Sequence, residues 1–441
     1  MHTHRPSIIA LGLLSALSAS PRATAAQTTQ DTQAAAPPPI TFFGELRTRS
    51  EYDRPVAPLP ADAYTYLRTR FGVRVDPTPH ARVVLQMQDS RVLGAEGSPA
   101  ASAVEQFDLH QGYVELGAPW RGVAAAARAG RQEIALGNER LVGSVGWSNV
   151  GRSFDGVRLL FSPEGAKAGS EPWTATLFGA TVEERGRHYS TTTAMARPTS
   201  GDHAVAGLYA TRALPRSAVL SATLLHDAGA DYRVYRDAHR TTLDARLVAP
   251  RLLGARLELE GALQRGHQRY AADTTNVGAQ SVSAWLVGAR LGTAVAPTSR
   301  ASVTVGVDAL SGDATPGDGR YGAFATMYAT NHPFYGVMDV IGDPATTTKD
   351  HGLVDALATG ALALSKSVDL KAEVHRFTLA AGDSRDLGWE ADLTLPVRIT
   401  STTGIDLGVS AFRAGDAAAA VGLGASGATR SWAYLQLRAG F

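Results

Sequence analysis

The 441-residue chain has no cysteine, which excludes disulfide bonds and thiolate metal sites. Its formal net charge is only +1, and so small a charge argues against a polybasic nucleic-acid-binding surface. Aromatic residues are also few, at 7%, but 44% of the residues are hydrophobic. Intrinsic disorder is therefore excluded, because disordered chains have fewer apolar residues and a larger net charge.

Long hydrophobic runs are absent as well. After the N-terminal region, no stretch reaches the about 18 apolar residues of a membrane-spanning helix. Residues 1–26 start with polar residues and Arg5, continue with the apolar run IIALGLLSALSAS and end with small residues such as Ala25. This layout predicts a secretory signal peptide cleaved near residue 25 or 26. Residues 27–40 are polar and then proline-rich, which predicts a flexible segment before a folded region over 41–441.

What the chain does contain is a long series of segments in which apolar and polar residues alternate. In YLRTRFGVRV (66–75), Leu67, Phe71 and Val73 lie on one face, and the arginines lie on the other. The segment ARLELEGALQ (255–264) repeats this pattern with leucines opposite charged residues. Alternation with a period of two residues indicates β-strands.

Short and long connections alternate between these segments. Short ones such as DPTP (76–79) and APWRG (118–122) mostly contain proline, whereas others such as 134–152 and 310–352 are long. Short turns on one side and long loops on the other predict an all-β fold, a transmembrane antiparallel β-barrel of about 18 strands in an outer membrane. The predicted strands are 42–53, 64–76, 80–90, 105–117, 123–133, 153–162, 173–183, 203–213, 217–227, 239–249, 253–266, 280–291, 300–309, 353–364, 368–380, 386–395, 401–412 and 430–441.

The last segment favours a barrel over the alternative, a soluble β-sandwich with equally alternating strands. In RSWAYLQLRAGF (430–441), Leu435, Leu437 and Phe441 share one face, and the chain ends on an aromatic residue. This ending resembles the C-terminal signal by which outer-membrane barrels are recognised for insertion. Closure into a barrel also satisfies every backbone polar group, as a lipid environment requires.

If the apolar faces contact lipid, the opposite faces line a water-filled lumen. Arginine dominates the middle of the first three strands, whereas the acids of this region lie nearer strand ends. This arrangement predicts a positive wall that favours anions. The predicted lumen-lining arginines are Arg47, Arg49, Arg68, Arg70, Arg74, Arg82, Arg128 and Arg158.

Two other interpretations of these arginines stay open. Only four of the 42 basic residues are lysine, and GC-rich codon usage would account for much of this arginine excess. Inward Arg–Glu ladders also brace barrel walls, so each arginine is as well suited to bracing as to contacting a solute.

Several segments resemble the alginate export porin family of Gram-negative outer membranes. They are FFGELRTRSEY (42–52), GRQEI (130–134), GNERLVG (137–143), WSNVGRSFDGVRL (147–159) and FATMYATNHPFYGVMD (324–339). The resemblance implies a barrel that exports a polyuronate through an electropositive constriction. It also implies that Arg131, Glu133, Arg152 and Asp155, which match the family signature, belong to the lumen site. The alternative is that these arginines pair with these acids across adjacent strands and pin the intervening loop.

The loops 134–152 and 310–352 are candidates to fold inward and narrow or plug the pore, since loops of this length are usually functional. On that interpretation His332, Tyr335 and Asp339 contact sugar rings. Ordinary loop packing is the other interpretation.

Catalytic motifs are missing from the sequence. Neither a G-x-S-x-G nor an H-E-x-x-H motif occurs, and the histidines are scattered. We therefore expect no catalysis, no metal site and no cofactor.

Taken together, these features predict an outer-membrane channel for passive passage of an anionic oligo- or polysaccharide, such as an alginate-like polyuronate. The alternatives are a general or small-anion-selective porin and a structural or adhesive barrel plugged by its own loops. The expected partners are the polysaccharide or small anions, the lipid bilayer, the outer-membrane assembly machinery and periplasmic export components. Nucleic acid is not an expected partner.

Overall fold

The computed structural model describes residues 39–56, 60–93, 105–167, 169–183, 203–231, 236–252, 254–270, 279–295 and 300–441. The predicted signal peptide and all but the last two residues of the predicted flexible segment lie outside the described residues. No helix in the described part of the chain is long and apolar enough to cross a membrane.

In the part of the chain that the structure describes, nineteen strands form one sheet, and all but one of them are long. The long strands are β1 (Ile40–Arg54), β2 (Asp62–Thr78), β3 (Ala81–Leu93), β4 (Glu105–Trp120), β5 (Val123–Gln132), β6 (Phe154–Pro163), β7 (Trp173–Glu183), β8 (His203–Ala213), β9 (Val219–Asp231), β10 (Arg236–Leu252), β11 (Ala255–Tyr270), β12 (Gln280–Ala294), β13 (Ala301–Leu310), β15 (Leu353–Ala363), β16 (Asp369–Leu379), β17 (Asp386–Arg398), β18 (Thr403–Ala414) and β19 (Thr429–Gly440). The short strand is β14 (Arg320–Tyr321), and two short helices are α1 (Pro344–Thr347) and α2 (Ala418–Val421).

The sheet closes on itself. Each long strand pairs antiparallel with the next long strand along the chain, and β13 pairs directly with β15. The first strand pairs with the last, with Thr48 opposite Leu437. Strand β14 is an addition inside this pattern and pairs in parallel with β12. The predicted antiparallel barrel of about 18 strands is therefore confirmed.

The period-two pattern decides which side chains face outward. On β19, Leu435 and Leu437 are 49% and 42% exposed, whereas Gln436 between them is only 6% exposed. On β3, Leu85 is exposed and Gln86 is buried in the same way. Such an inverted distribution is unfavourable in water and favourable when lipid surrounds the barrel.

Two long loops fold into the barrel from the end at which the connections are long, which we call the loop end. Loop A (residues 133–153) joins β5 to β6, and loop B (residues 311–352) joins β13 to β15. Their apolar side chains pack together and against inward-facing residues of the strands. The cluster includes Ile134, Leu141 and Val142 of loop A, Phe324, Tyr328, Tyr335 and Ile341 of loop B, and Phe178, Leu286, Phe377 and Phe412 of the wall. Loops A and B thus pack with the barrel wall into an apolar core inside the barrel.

Loops A and B are also joined by main-chain hydrogen bonds. The Tyr328 amide donates to the Leu141 carbonyl at 3.1 Å, and the Gly143 amide donates to the Tyr328 carbonyl at 2.8 Å. The Thr330 amide donates to the Glu139 carbonyl at 2.9 Å. Because buried backbone groups need partners, each loop satisfies the other where neither can reach water.

Candidate functional site

One side of the barrel interior carries a row of arginines on β1, β2, β3, β5 and β6, which we call the arginine face. It contains the eight arginines predicted to line the lumen: Arg47, Arg49, Arg68, Arg70, Arg74, Arg82, Arg128 and Arg158. Arg47 lies opposite Arg68 in the β1–β2 register, and Arg128 lies opposite Arg158 in the β5–β6 register. Alternation places all of them on the inner surface, but their contacts differ between the loop end and the opposite end of the barrel.

The arginines nearer the loop end hold loop A. Arg47 donates to the carbonyl oxygens of Gly146 and Ser148, and Arg68 donates to the same two oxygens. Arg49 donates to the Trp147 carbonyl at 2.6 Å, and its guanidinium lies 3.9 Å from the Trp147 ring centre. This part of the arginine face is consequently covered by the loop, and Arg47, Arg49 and Arg68 are buried.

Glu133 is the acid around which the start of loop A is fixed. Its carboxylate accepts from Arg70 at 3.1 Å and lies 2.8 Å from His110 Nε2. Burial disfavours the ionised carboxylate, but the His110 hydrogen bond and the Arg70 charge outweigh it and hold the pKa of Glu133 below its ordinary value. Arg158 adds a donor to the Glu133 carbonyl at 3.3 Å. Glu133 therefore stabilises the loop as an anion.

The lower arginines, near the end with short turns (the turn end), are more open. The side chains of Arg74 and Arg82 are 41% and 40% exposed, and both pair with Asp76. Arg128 pairs with Glu115 at 2.6 Å. A cavity of about 810 Å³ opens here, lined by charged residues, prolines and alanines. The charged residues at this turn-end cavity include Asp76, Arg82, Glu115 and Glu164.

The structure corrects the expectation that Arg131 and Asp155 line the lumen. They form the predicted cross-strand ion pair, with Arg131 Nη2 2.8 Å from Asp155 Oδ2. However, the neighbours Phe154 and Arg158 point inward, so Asp155 shares the outer face with the exposed Val157. The pair thus lies on the outer surface near the loop end, where it braces β5 against β6.

Among the described residues, Arg152 is joined by an ion pair to neither Glu133 nor Asp155, the acids with which it was expected to pair. Its guanidinium donates to the carbonyl oxygens of Gly143, Tyr328 and Ala329. It therefore ties loop A to loop B through main-chain acceptors, which is a structural role.

The three loop B residues proposed to contact sugars have different surroundings. Tyr335 is only 1% exposed, and its hydroxyl accepts from Arg140, so it belongs to the packed interior. His332 lies 2.9 Å from the Asp339 carboxylate and stacks on the Trp147 ring, with the ring centres 4.2 Å apart. His332 and Asp339 retain partial exposure.

Arg140 is a central residue that the sequence interpretation did not single out. It lies in loop A at 1% exposure and binds Asp308 through both terminal nitrogens, at 2.9 and 3.1 Å. Its Nε also donates to Glu260, and Phe334 stacks on its guanidinium. Burial opposes the charge, yet Tyr335, Asp308 and Glu260 hold the pKa of Arg140 well above its ordinary value. Its only sequence signal is a charge directly before the apolar pair Leu141 and Val142.

Within the described ranges, no group of three or more histidine, aspartate or glutamate residues is arranged to hold a metal ion. The arrangement instead offers guanidinium groups that loop A covers near the loop end and that are partly exposed near the turn end.

Comparisons with known proteins agree with this architecture. A profile of the alginate export family matches residues 39–429. A search of curated proteins finds no match. Among solved structures, the chain is similar to OccK8 (OprE) of Pseudomonas aeruginosa, with 11% identity, a TM-score of 0.58 and coverage of 91% of this chain and 98% of that chain.

Two further solved structures share the fold at similarly low identity. OccK2 (OpdF) of Pseudomonas aeruginosa, solved in complex with glucuronate, has 13% identity, a TM-score of 0.57 and coverage of 91% and 98%. OccAB1 of Acinetobacter baumannii has 12% identity, a TM-score of 0.59 and coverage of 91% and 97%. The barrel, the family match and the porin neighbours place the protein in the outer membrane as a channel. The chain belongs to the alginate export family of outer-membrane barrels.

Proposed function

We propose that this channel passes anionic, carboxylate-bearing saccharides passively, with an alginate-like polyuronate as the representative solute. The observation that carries the proposal is the position of Arg74, Arg82 and Arg128. They line the inner wall near the turn end, where a cavity of about 810 Å³ is open. Because short turns of bacterial outer-membrane barrels face the periplasm, a periplasmic solute would meet these arginines first.

The chemistry of guanidinium groups suits this role. Arginine is permanently charged and presents a planar fork that matches a carboxylate. At the turn end each arginine already shares Asp76 or Glu115, so a passing carboxylate competes with a resident acid. That competition keeps binding weak and spread over several positions, as permeation requires, because a tightly bound solute would not leave.

One structural neighbour supports the solute class. The OccK2 barrel was solved in complex with glucuronate, which is a uronate monomer. In the present chain the corresponding proposal rests on its own arginines, and no bond of the solute is made or broken in the mechanism.

Loops A and B favour one alternative strongly enough to be tested beside the proposal. They fill the loop end of the barrel with a packed apolar cluster, as a structural barrel plugged by its own loops would require. A general or small-anion porin is the remaining alternative. Conductance and its ion selectivity separate all three.

The decisive experiment is a planar-bilayer recording of the refolded protein. We would measure conductance and the reversal potential in a salt gradient, then add oligogalacturonates to each side in turn. Anion selectivity with block from the turn-end side supports the proposal. An open pore without anion preference or block would leave a general porin, and absence of conductance would leave the plugged barrel.

The role of the turn-end arginines is tested with Arg82→Ser. We expect a lower anion preference and weaker uronate block, because one accessible charge is removed from the lumen without disturbing loop A. Arg300→Ser is the matched control, since Arg300 is an exposed arginine in the turn before β13. Equal selectivity in the two variants would contradict a role of Arg82 in solute passage.

A further inference from the structure

The segment Gly146–Ser148 of loop A rests on two arginines in an unusual way. Arg47 Nη1 donates to the Gly146 carbonyl at 2.7 Å, and Arg47 Nη2 donates to the Ser148 carbonyl at 2.8 Å. Arg68 Nη1 lies between the same oxygens, at 3.1 Å and 3.0 Å. Two guanidinium groups thus share two acceptor oxygens.

This arrangement resembles the bidentate binding of a carboxylate by the guanidinium group of arginine. The two terminal nitrogens of Arg47 each meet a separate oxygen, as they do in bidentate Arg–carboxylate pairs. Here the two oxygens are neutral peptide carbonyls, those of Gly146 and Ser148, which flank Trp147. Hydrogen bonds from a guanidinium to an ionised acceptor are stronger than those to a neutral carbonyl, so a carboxylate is the better occupant of this position.

The nearby acid Glu45 acts on Arg47 through its charge but is bound to Arg68. Within the part of the chain that the structure describes, Arg47 forms no ion pair, although its side chain is buried. Its Nε is also buried and has no acceptor among the described residues. Arg68, by contrast, keeps Glu45 through two hydrogen bonds. Arg47 and Arg68 therefore share the charge of one acid, Glu45, and an incoming anion would neutralise the remaining positive charge.

The segment lies between a strained residue and residues that are bound to the barrel wall, since Ser90 donates to the Asn149 carbonyl. Val145 at its start has a φ of 52°, a left-handed conformation that is strained for a β-branched residue. Gly151, three residues beyond the segment, has a φ of 81°, a conformation that glycine adopts without strain. Gly146 is exposed, so solvent reaches the segment. The rest of loop A keeps its own anchors at Arg140 and Arg152.

We propose that Arg47 and Arg68 form a carboxylate-binding site, and that the Gly146–Ser148 carbonyls occupy it as an internal substitute when no solute is bound. This inference rests on the proposed passage of carboxylate solutes. A uronate carboxylate takes the place of the two carbonyl oxygens and releases the segment. The Trp147 contacts with Arg49 and His332 are lost with it, which loosens loop A from both the wall and loop B.

The test uses the absence of cysteine in the chain. In the full-length barrel in vesicles, Ser148→Cys supplies the only thiol, and its maleimide labelling rate reports release of the segment. Trigalacturonate should accelerate labelling about tenfold, which corresponds to a differential affinity of about 1.4 kcal/mol. Neutral maltotriose should leave the rate unchanged.

Variants of Arg47 test whether this residue is responsible for the accelerated labelling. Arg47→Gln in the Ser148→Cys background keeps a donor for the carbonyl oxygens but removes the charge, so the acceleration should be lost. Arg47→Lys keeps the charge but not the fork and should reduce the acceleration. Arg300→Gln, outside the site, should retain it.

The outcomes separate this inference from the proposed function when uronate block of conductance is recorded on the same preparation. Block with an unchanged labelling rate overturns the carboxylate-exchange inference and leaves the channel proposal standing. Neither block nor acceleration overturns both. Equal acceleration by maltotriose, or acceleration that persists in Arg47→Gln, overturns the assignment of Arg47 as the carboxylate site.

Discussion

Burial and partner choice decide what each arginine of this barrel does. Arg82 is partly exposed and pairs with Asp76, whereas Arg47 is buried under loop A and donates to two carbonyl oxygens of that loop. Arg140 is buried completely and is held by acids of two different strands. The same residue type therefore serves as a lumen charge, a loop clamp and a core ion pair.

The core ion pair of Arg140 yields a stability prediction. Arg140→Met leaves Glu260 and Asp308 buried, and among the described residues Asp308 keeps Arg290 as a partner whereas Glu260 loses its arginine. We expect a loss of about 3–5 kcal/mol in the free energy of unfolding, because one partner of a buried pair is stranded. Denaturant titration of the barrel in lipid vesicles measures this loss.

Arg131→Met provides the matched control for that measurement. Its partner Asp155 is 55% exposed, and exposed ion pairs contribute about 0–1 kcal/mol. Similar losses in the two variants would show that the burial of Arg140 has no energetic consequence.

Each strand of the barrel has two faces, one toward lipid and one toward the lumen. On β19 the exposed Leu435 faces outward. Thr394 of β17 lies at nearly the same depth in the membrane, but it faces inward, as the buried Asp392 does. Loops behave differently, because their apolar residues turn inward and replace the packed core of a soluble protein.

The two faces of the strands predict opposite responses to a new charge. Leu435→Arg should destabilise the barrel by about 2–4 kcal/mol, because the charge enters the middle of the lipid-facing band. Thr394→Arg should be tolerated, since a lumen-facing arginine reaches water. The measurements are folded yield by heat-modifiable gel mobility and denaturant titration in vesicles. Equal tolerance of both charges would contradict the assignment of the faces.

Closure of the barrel is a property of the whole molecule, and it depends on the two ends of the chain. The Gly44 amide donates to the Phe441 carbonyl and the Phe441 amide donates to the Gly44 carbonyl, both at 3.2 Å. The Phe441 ring covers Gly44, where a side chain would collide with it, and lies near Phe71. The last residue thus seals the seam between β1 and β19.

The seam predicts the effect of losing this ring. Phe441→Ala should lower the rate and yield of barrel assembly, because the contact that aligns β19 with β1 is weakened. Phe107→Ala is the matched control, since Phe107 is 70% exposed and Phe441 is 69% exposed, but Phe107 lies away from the seam. Assembly kinetics in vesicles distinguish them. An equal effect of both substitutions would mean that assembly depends on exposed aromatic area in general and not on the contact of Phe441 at the seam.

Most strand boundaries were predictable from the sequence because period-two alternation is a local signal. Strands 173–183 and 203–213 agree with β7 and β8, and other strands differ at their ends, as for β11, which ends four residues beyond its prediction. The inward direction of the eight arginines follows from the same local rule. So does the outward direction of Arg131, which lies an odd number of residues from Arg128, although family resemblance had suggested otherwise.

The sequence alone therefore determined the barrel, its strand number and the arginine face, because each follows from neighbouring residues. Only the tertiary structure decided which arginines remain open to solute. Loop A covers Arg47 and Arg68. Arg47 is 99 residues from Gly146, and Arg68 is 80 residues from Ser148. Arg140 meets Glu260 and Asp308 across 120 and 168 residues. Such contacts depend on where closure of the barrel brings distant segments together, and no local pattern contains that information.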